Sequence, residues 1–383
     1  MAIIFSKDIS QANLLMTYNN NIVVFSSSNI LNPLYCKITG NGIDALIYPH
    51  PDGNFYFNFI DYISAEINTK NFADDLVTNL LNTDITTFTY NISDGRYLNV
   101  IVTFEITLSN NSKETITRNL QFIAGVNQIE DYKKQEIKAI NKFTILSPVA
   151  NRSDNSVDLK YWEGYPFSFS VFSNDVMQDF KFKNNSNGLD NTFDTKGKIT
   201  SVILDDGNIN LTNSNILPLI KGINELEVYI NNINQNLNIN INKVDSTCGT
   251  YIKWLNKFGS YNYWLLSEFS KRTRSTKYGV EINNDFNNLE NTTSPTLQSG
   301  KSNVDLLKCN VKKLTQSEKD VLIGVLESPK IYLFNGERFS KAEPNDWIEV
   351  TLKNNSLEVE DSIQKTFRFN LDFELPNRYS QKL

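Results

Sequence analysis

The chain has almost no histidine, and this removes whole classes of hydrolytic chemistry. His50 is the one histidine in 383 residues, and it stands between two prolines in "YPHPDG". A Ser-His-Asp or Cys-His pair would have to be built on this single ring, and no Gly-x-Ser-x-Gly turn accompanies it. We therefore expect His50 to lie in a rigid surface turn, and we expect no catalytic residue in the chain.

Cysteine and the common cofactor motifs are also scarce. Cys36, Cys248 and Cys309 lie far apart with no CxxC spacing, so the sequence indicates neither a disulfide scaffold nor a zinc site. We expect all three to be small buried hydrophobic residues. There is no glycine-rich phosphate loop, EF-hand pattern or HExxH motif, so we expect neither a cofactor nor a bound metal.

Long apolar runs and an excess of basic residues are missing as well. No stretch approaches the roughly 18 apolar residues of a membrane span. The apolar run in the opening "MAIIFSKDISQ" is too short for a signal peptide. A formal net charge of −6 argues against direct nucleic-acid binding, which needs a basic face. We expect a soluble chain, made in a cytosol, that does not enter a membrane.

Paired carboxylates are the remaining route to catalysis, because a glycosidase needs only two. The candidates all adjoin turns or polar loops, where acidic residues are common without a catalytic role. They are Asp74, Asp75, Asp205, Asp206, Glu358, Glu360 and Asp361. A glycan-binding or glycan-cleaving module therefore stays open as an alternative.

What the sequence does contain is a succession of strand-like segments. Alternating or β-branched runs predict strands in "NIVVFSS", "NFYFNFI", "YLNVIVTFEITL", "ITSVILDD", "LEVYINN" and "FRFNLDFEL". Asp-Gly pairs at 52–53, 94–95 and 206–207 predict three hairpin-like reversals. In the asparagine-rich segment 236–242, alternation of Leu237, Ile239 and Ile241 predicts a half-buried strand, which we expect to lie unpaired at a sheet edge.

The predicted fold class is mainly β, with tandem β-sandwich-like domains followed by a C-terminal α+β region. "IAGVNQIE" from Ile123 and "IKGINELE" from Ile220 are similar, and their spacing fits one sandwich domain. We read Gly-x-Asn in both as a turn that feeds a strand, and place the domains at residues 1–135, 136–245 and 246–383. "KLTQSEKDVLIGVLESPK" predicts a helix with a Thr315/Glu318 capping box, between two strands. A shorter helix is predicted at residues 73–83.

Two clusters of aromatic residues are the other conspicuous feature. One is "YWEGYPFSFSVF", where alternation directs Phe167, Phe169 and Val171 to one strand face. The other, residues 251–264, is followed by a basic run. We expect residues 251–264 to pack as a seam between the sandwich domains and the C-terminal region, and residues 271–277 to extend as a polar loop toward a neighbouring subunit. The candidate assembly-interface residues are Trp254, Tyr261, Tyr263, Trp264, Lys271, Arg272, Arg274 and Lys277.

An ordered set of segments resembles a known family. "NPLYCKI" with "PHPDGNFYFNFIDYI", then "YIKWLNKFGSYNYWLL", "SPKIYLF", "DWIEVTL" and "FRFNLDFELPNRY" are similar to structural tail proteins of bacteriophages of Bacteroidetes hosts, including the crAss-like phages. The resemblance spans most of the chain. It implies a virion protein of the tail or tail hub, arranged in rings about the tail axis where fibres attach, and it supplies no catalytic residues.

The leading hypothesis is thus a non-enzymatic tail protein, made in the bacterial host cytoplasm, that works as a homo-oligomeric ring or adaptor. Its partners would be itself and other tail proteins or fibres. The alternative is a glycan-directed host-attachment module. A third hypothesis, DNA handling, predicts salt-dependent binding that is lost when Arg272 and Arg274 become alanine. Charge reversal at these two arginines is expected to impair assembly while leaving the fold intact.

Overall fold

The computed structural model describes residues 3–69, 89–91, 95–128, 143–147, 156–174, 179–194, 197–203, 219–245, 248–283, 290, 296–339, 346–353 and 367–380. These residues form a mainly β protein, as the sequence predicts. Its strands make several packed sheets, and a helix lies near the C-terminus. Three structural units succeed one another along the chain.

The first unit is a two-sheet sandwich with a helix. The strands up to residue 123, all of which except β7 belong to this unit, are β1 (Ile3–Lys7), β2 (Leu14–Met16), β3 (Ile22–Ser27), β4 (Pro33–Gly40), β5 (Ile43–Ile47), β6 (Phe55–Asn58), β7 (Thr89–Asn91), β8 (Tyr97–Leu108) and β9 (Lys113–Ile123). The sheets have the strand orders β1-β3-β6 and β2-β9-β8-β4-β5. They pack on one core, in which the rings of Phe25 and Phe104 are 5.0 Å apart.

The second unit is also built from two sheets. Its strands are β10 (Phe143–Ile145), β11 (Ser156–Trp162), β12 (Ser168–Ser173), β13 (Asp179–Asn184), β14 (Asp190–Asp194), β15 (Ile199–Ile203), β16 (Gly222–Ile230) and β17 (Ile233–Val244). The strand orders are β10-β12-β15-β7 and β11-β17-β16-β13-β14. Strand β7 precedes β8 in the chain yet pairs with β15, so the first stretch of sequence contributes a strand to the second unit. Phe167, Phe169 and Val171 share the core of this unit, as alternation predicts.

The third unit is a single sheet that folds over on itself. Its strands are β18 (Thr250–Leu255), β19 (Tyr261–Leu266), β20 (Phe269–Tyr278), β21 (Glu281–Asn283), β22 (Thr296–Gln298), β23 (Lys301–Leu314), β24 (Ile331–Phe334), β25 (Trp347–Leu352) and β26 (Phe367–Glu374). The strand order is β19-β18-β24-β25-β26-β23-β20, with β21 and β22 paired separately. Only two residues join β19 to β20, although these strands are the two edges. The sheet must therefore curl until its edges approach, and its inner face encloses one core.

Two helices accompany the strands in the described part of the chain: α1 (Ile60–Thr69) and α2 (Gln316–Glu327). The capping box predicted for α2 is confirmed, because the Glu318 backbone N–H donates to Thr315 Oγ1 at 3.2 Å and Thr315 N–H donates to Glu318 Oε2 at 3.0 Å. Leu322 and Val325 are fully buried in the third core. Helix α1 was not predicted, although Ile60, Ile63 and Ile67 follow helical spacing, because its β-branched residues resemble a strand.

Several local predictions need correction. Strand β17 is not an edge: it pairs in parallel with β11 and antiparallel with β16, while Ile239 and Ile241 are buried as predicted. The Asp52-Gly53 turn joins β5 to β6, which belong to different sheets, so it reverses the chain without forming a hairpin. Asp94, the 206–207 turn and the 73–83 helix lie outside the described residues.

The two similar octapeptides do not occupy equivalent places. "IKGINELE" feeds β16 as predicted, and Asn224 is buried there with its Nδ2 donating to the carbonyl oxygens of Ile220 and Ile241. "IAGVNQIE" instead stands where β9 ends, at a contact with the third unit. Cys36 and Cys309 are buried as expected, whereas Cys248 is exposed. Burial raises the pKa of the Cys36 thiol to about 12.

The turn between β18 and β19 connects the third unit to the first unit through Val126 and to the second unit through Leu146. Val126 N–H donates to the Lys257 carbonyl oxygen at 2.8 Å, and Asn256 Nδ2 donates to the Leu146 carbonyl oxygen at 3.2 Å. Gly259 has φ +73°, and a β-carbon there would lie 2.4 Å from the Ala124 carbonyl oxygen. Position 259 therefore requires glycine, because its φ is positive and because a β-carbon has no room beside Ala124.

We expect Gly259→Ala to destabilise the protein more than Gly53→Ala. Gly53 has φ +80°, but no atom lies within 4 Å of the position that a β-carbon would take, so alanine there should cost only the backbone strain, about 1–2 kcal/mol. Gly259→Ala adds a backbone clash and should cost about 3 kcal/mol or more. Urea unfolding of both variants beside the wild type measures the difference. Equal losses would show that the turn does not depend on its close approach to Ala124.

Candidate functional site

The β18–β19 hairpin, which contains most of the aromatic stretch, is buried on both faces. On one face, Tyr251 OH donates to the Pro166 carbonyl oxygen at 2.8 Å, and the Tyr263 and Ser168 hydroxyl oxygens are 2.9 Å apart. On the other face, Trp254 packs in the third core beside α2. Residues 251–264 thus contact the second unit through Tyr251 and Tyr263 and the first unit through the turn at Lys257, which agrees with the predicted seam between the sandwich domains and the C-terminal region.

Burial corrects part of the predicted assembly interface. Trp254, Tyr261 and Trp264 are at most 7% exposed, and Tyr263 is half-buried. The rings of Trp254, Tyr261 and Trp264 pack against other parts of the same chain and cannot contact a partner in this conformation, and Tyr263 offers only part of its surface. The surface part of the predicted interface is reduced to Lys271, Arg272, Arg274 and Lys277.

A buried lysine is part of the same seam. Lys253 is 2% exposed, and its Nζ lies 4.1 Å from the ring centroid of Trp347, 5.0 Å from that of Tyr261 and 5.1 Å from that of Tyr332. Aromatic ring faces carry partial negative charge, so they compensate an ammonium group that has been removed from water. The side chain thus stabilises the packing of β18 against strands β19, β24 and β25 of the third unit.

The basic residues 271–277 form a strand and not the predicted loop. They lie in β20, at the edge of the third sheet, and almost every β20 residue is exposed. The antiparallel pairing with β23 runs without a register shift from Phe269↔Asn310 to Tyr278↔Lys301. It continues through the backbone hydrogen bonds of residues 279–280 with 299–300, and then into the β21–β22 pair.

Beyond Asp305, no third strand of the described part of the chain lies beside this pair of strands. Strand β26 pairs with β23 only from Leu306 onward, and β20 pairs only with β23 among the described residues. Residues 274–283 and 296–305 therefore project as a two-stranded ribbon, which we call the ribbon. Ten residue pairs at a rise of about 3.3 Å give a length of about 33 Å.

An arginine cluster fixes the base of the ribbon. Asp305 Oδ2 accepts from Arg272 Nη2 at 2.6 Å, and Asp305 Oδ1 accepts from Arg274 Nε at 2.7 Å. Arg378 Nη1 reaches Oδ2 at 3.4 Å. The carboxylate is 1% exposed because these half-exposed guanidinium groups cover it. Hydrogen bonds from Arg274 and Arg272 hold the pKa of Asp305 well below its usual range, although its desolvation acts in the opposite direction.

This cluster, the arginine clamp, corrects the expected role of Arg272 and Arg274. Both guanidinium groups are engaged with Asp305, so charge reversal would place two carboxylates against a third where the ribbon leaves the sheet. The fold of the ribbon base should suffer, contrary to the expectation from sequence. The DNA hypothesis is weakened for the same reason, because its two required cations are already paired.

The two faces of the ribbon differ in chemistry toward its tip. Directly paired residues point to the same face, and successive residues alternate. One face carries Tyr278, Val280, Ile282 and Leu297, which are between 40% and 73% exposed, and also Ser299 and Lys301, which stand opposite Val280 and Tyr278. The opposite face carries Lys277, Gly279, Glu281, Asn283, Gln298, Gly300 and Ser302. The ribbon is therefore amphipathic, with its apolar face exposed to solvent.

Sequence reasoning missed this ribbon, although a signal was present. Tyr278, Val280 and Ile282 alternate with Gly279 and Glu281, which is the period-two pattern of a strand with one apolar face. The charges at residues 271–277 obscured it, because a basic run without apolar residues reads as a loop.

No protein-family model matches this chain. No curated protein matches it either. Among solved structures, fibronectin(III)-like modules of CbhA from Clostridium thermocellum align at 5% identity over 63% of this chain and 94% of that chain, with a TM-score of 0.20. A 1.5-MDa bacterial ice-binding adhesin aligns at 8% identity over 80% and 92%, with a TM-score of 0.18. An ice-binding, Ca²⁺-stabilised adhesin of an Antarctic bacterium aligns at 6% identity over 97% of both chains, also at 0.18.

Two further features bear on the site. Among the described residues, no helix is long and apolar enough to cross a membrane, and no three His, Cys, Asp or Glu side chains meet as metal ligands. His50 lies in an exposed turn, as expected, with its Nδ1 3.5 Å from Asp52 Oδ1. The candidate glycosidase acids Asp74, Asp75, Asp205, Asp206, Glu358, Glu360 and Asp361 lie outside the described residues.

We expect Asp305→Asn to loosen the base of the ribbon. The amide keeps the shape of the side chain but leaves three arginines without their shared anion. Hydrogen exchange of the backbone amides in residues 272–278 should accelerate by about tenfold or more at neutral pH. Exchange in the buried strand β8 serves as the internal control and should not change. Unchanged exchange at residues 272–278 would show that strand pairing alone holds the ribbon.

The same variant gives a pH signature. A carboxyl whose pKa is lowered by folding stabilises the folded state above its ordinary pKa of about 3.9, and this stabilisation is lost as the pH falls toward the folded value. Ribbon amides of the wild type should therefore exchange faster relative to β8 as the pH drops below about 4. The Asp305→Asn protein should show no such pH-dependent difference.

Proposed function

We propose that this chain is a non-enzymatic structural subunit of a bacteriophage tail, present in the virion and acting through protein–protein contacts. The observation that carries the proposal is the ribbon, which projects from the body and exposes an apolar face. A two-stranded ribbon alone is at best marginally stable in water, so a chain that builds and anchors one is organised to present it. Contiguous exposed apolar side chains on an otherwise polar surface mark interaction sites.

The body of the molecule supports the same role. The β18–β19 hairpin contacts the second unit with one face, the third core with the other and the first unit with its turn. A body joined in this way keeps its three units in fixed positions relative to one another, as a subunit of a larger assembly requires. The sequence resemblance to tail proteins of phages of Bacteroidetes hosts supplies the particular assembly. The partners are then copies of this chain and other tail proteins or fibres.

One observation favours the glycan-binding alternative. The turn that contains His50 also exposes Tyr48 and Tyr56, and Tyr56 OH donates to Asp52 Oδ2 at 2.7 Å. Sugars bind to exposed aromatic rings with carboxylates at their edge, because ring faces cover C–H groups while carboxylates accept hydroxyl hydrogens. Here the Tyr56 hydroxyl already occupies one carboxylate oxygen, so we give this surface second place.

Quantitative mass spectrometry of density-purified phage particles tests the proposal. The chain should be present in many copies per particle, at a constant ratio to the other structural proteins. An enzyme that the phage makes during infection provides the control for carry-over. Absence of the chain from purified particles would refute the proposal. Binding of host surface polysaccharide, lost when Tyr48 and Tyr56 are both replaced by alanine, would favour the alternative in its place.

A further inference from the structure

The apolar face of the ribbon is an exposed feature that the fold itself leaves without an explanation. We propose that this face docks on the body of a second copy of this chain, so that neighbouring copies are joined by exchanged ribbons. The inference rests on the proposed structural function and names its partner.

The ribbon is built to reach outward. Its backbone pairing is continuous from the sheet to Asn283↔Thr296, and Thr276 Oγ1 lies 2.6 Å from Asn303 Oδ1 midway along it. The arginine clamp holds the base in one direction. Lys301 Nζ lies 5.3 Å from the ring centroid of Tyr278, and Tyr278 is 68% exposed. The apolar face is thus presented at a fixed distance from the body.

Charge identifies a second copy as the partner. The ribbon together with the strand segments at its base, residues 269–283 and 296–310, is here called the stem; it carries six Lys or Arg against Glu281 and Asp305, a formal charge of +4. The whole chain carries −6, so the rest of it carries −10. A basic projection on an acidic body is complementary to another copy of the same body, and opposite charges steer such a contact.

Contact area indicates how the copies are arranged. One face of a ribbon about 33 Å long and about 10 Å wide covers on the order of 300 Å². A stable specific interface buries about 800 Å² on each partner, so one exchanged ribbon is too small by itself. If each copy gives one ribbon and receives one, each copy has two contacts, and closure into a ring makes them reinforce one another. An exchange of this kind is heterologous, because donor and acceptor surfaces differ.

The outer backbone edges of the ribbon add a second means of attachment. Among the described residues, the ribbon part of β20 pairs only with β23 and β21 pairs only with β22, so each strand presents a free edge. A free strand edge can extend a sheet of a neighbouring molecule by main-chain hydrogen bonds. Docking of the apolar face and pairing at an edge are compatible, since the first uses side chains and the second uses the backbone.

The test uses the full-length chain and a pair of matched variants. Val280→Thr with Ile282→Thr keeps the β-branched shape but makes the apolar face polar. Asn283→Ser with Gln298→Ser changes two neutral residues on the opposite face of the same ribbon and is the control. Circular dichroism and the melting temperature verify that both variants fold, because all four side chains lie on the ribbon and outside the cores.

Sedimentation velocity over a range of protein concentrations gives the readout. We expect the wild type and the control to form a defined oligomer, and the threonine variant to associate at least about tenfold more weakly. Raising the salt from low to moderate concentration should also weaken the wild-type oligomer, because the basic stem faces an acidic body. A wild type that stays monomeric, a threonine variant that associates normally, or an oligomer indifferent to salt would each overturn the inference.

A mixing experiment tests whether the ribbon docks on the body. A fluorescently labelled threonine variant has an intact body, so it can receive a wild-type ribbon although it cannot donate its own. It should sediment with wild-type assemblies and lower their mean mass. Exclusion of the variant would overturn docking on the body. If the chain is found in phage particles but the threonine variant assembles normally, the docking inference fails while the structural function stands.

Discussion

Burial of the β18–β19 hairpin is the interaction on which the rest of the structure depends. Each strand of this hairpin has two apolar faces, and a strand of that kind must be covered on both sides. The second unit covers one face through Tyr251 and Tyr263, and the third core covers the other through Trp254. The close approach of Gly259 to Ala124 then connects the first unit. Three separate cores are thereby held by one element.

This arrangement explains how a chain with so many strands can support a projecting ribbon. The sheet that ends in β20 is the same sheet that contains β18 and β19, so the base of the ribbon is covalently and physically continuous with the seam. Asp305 sits where pairing with β26 ends, and its arginine partners cover it without burying it in a core. At the base of the ribbon, electrostatic attraction between surface side chains therefore provides the stabilisation that the packing of apolar side chains provides elsewhere in the fold.

The functional proposals depend on the contrast between this fixed body and its exposed extension. Buried aromatic residues cannot recognise a partner, whereas Tyr278, Val280 and Ile282 have exposed apolar surface that a contact with another molecule would bury. The basic stem and the acidic remainder of the chain carry opposite charge, which would attract and orient two copies in such a contact. Phage-tail assembly and ribbon exchange remain proposals with separate tests, since one concerns the particle and the other concerns the joint between copies.

The sequence by itself determined the local features. Period-two alternation located strands such as β8 and β17, the Thr315/Glu318 capping box located α2, and the density of aromatic residues identified the seam, because each of these depends on neighbours in the chain. Only the tertiary structure decided the rest. Strand β7 pairs in the second unit, and β17 lies inside its sheet and not at an edge. Arg272 and Arg274 form ion pairs with Asp305, some 30 residues away in the chain. Strand pairing and ion pairs of this kind depend on which distant segments meet in the fold. The ribbon is exposed because β26 ends at its base. The sequence of residues 274–283 cannot predict this exposure, since it depends on where another strand ends.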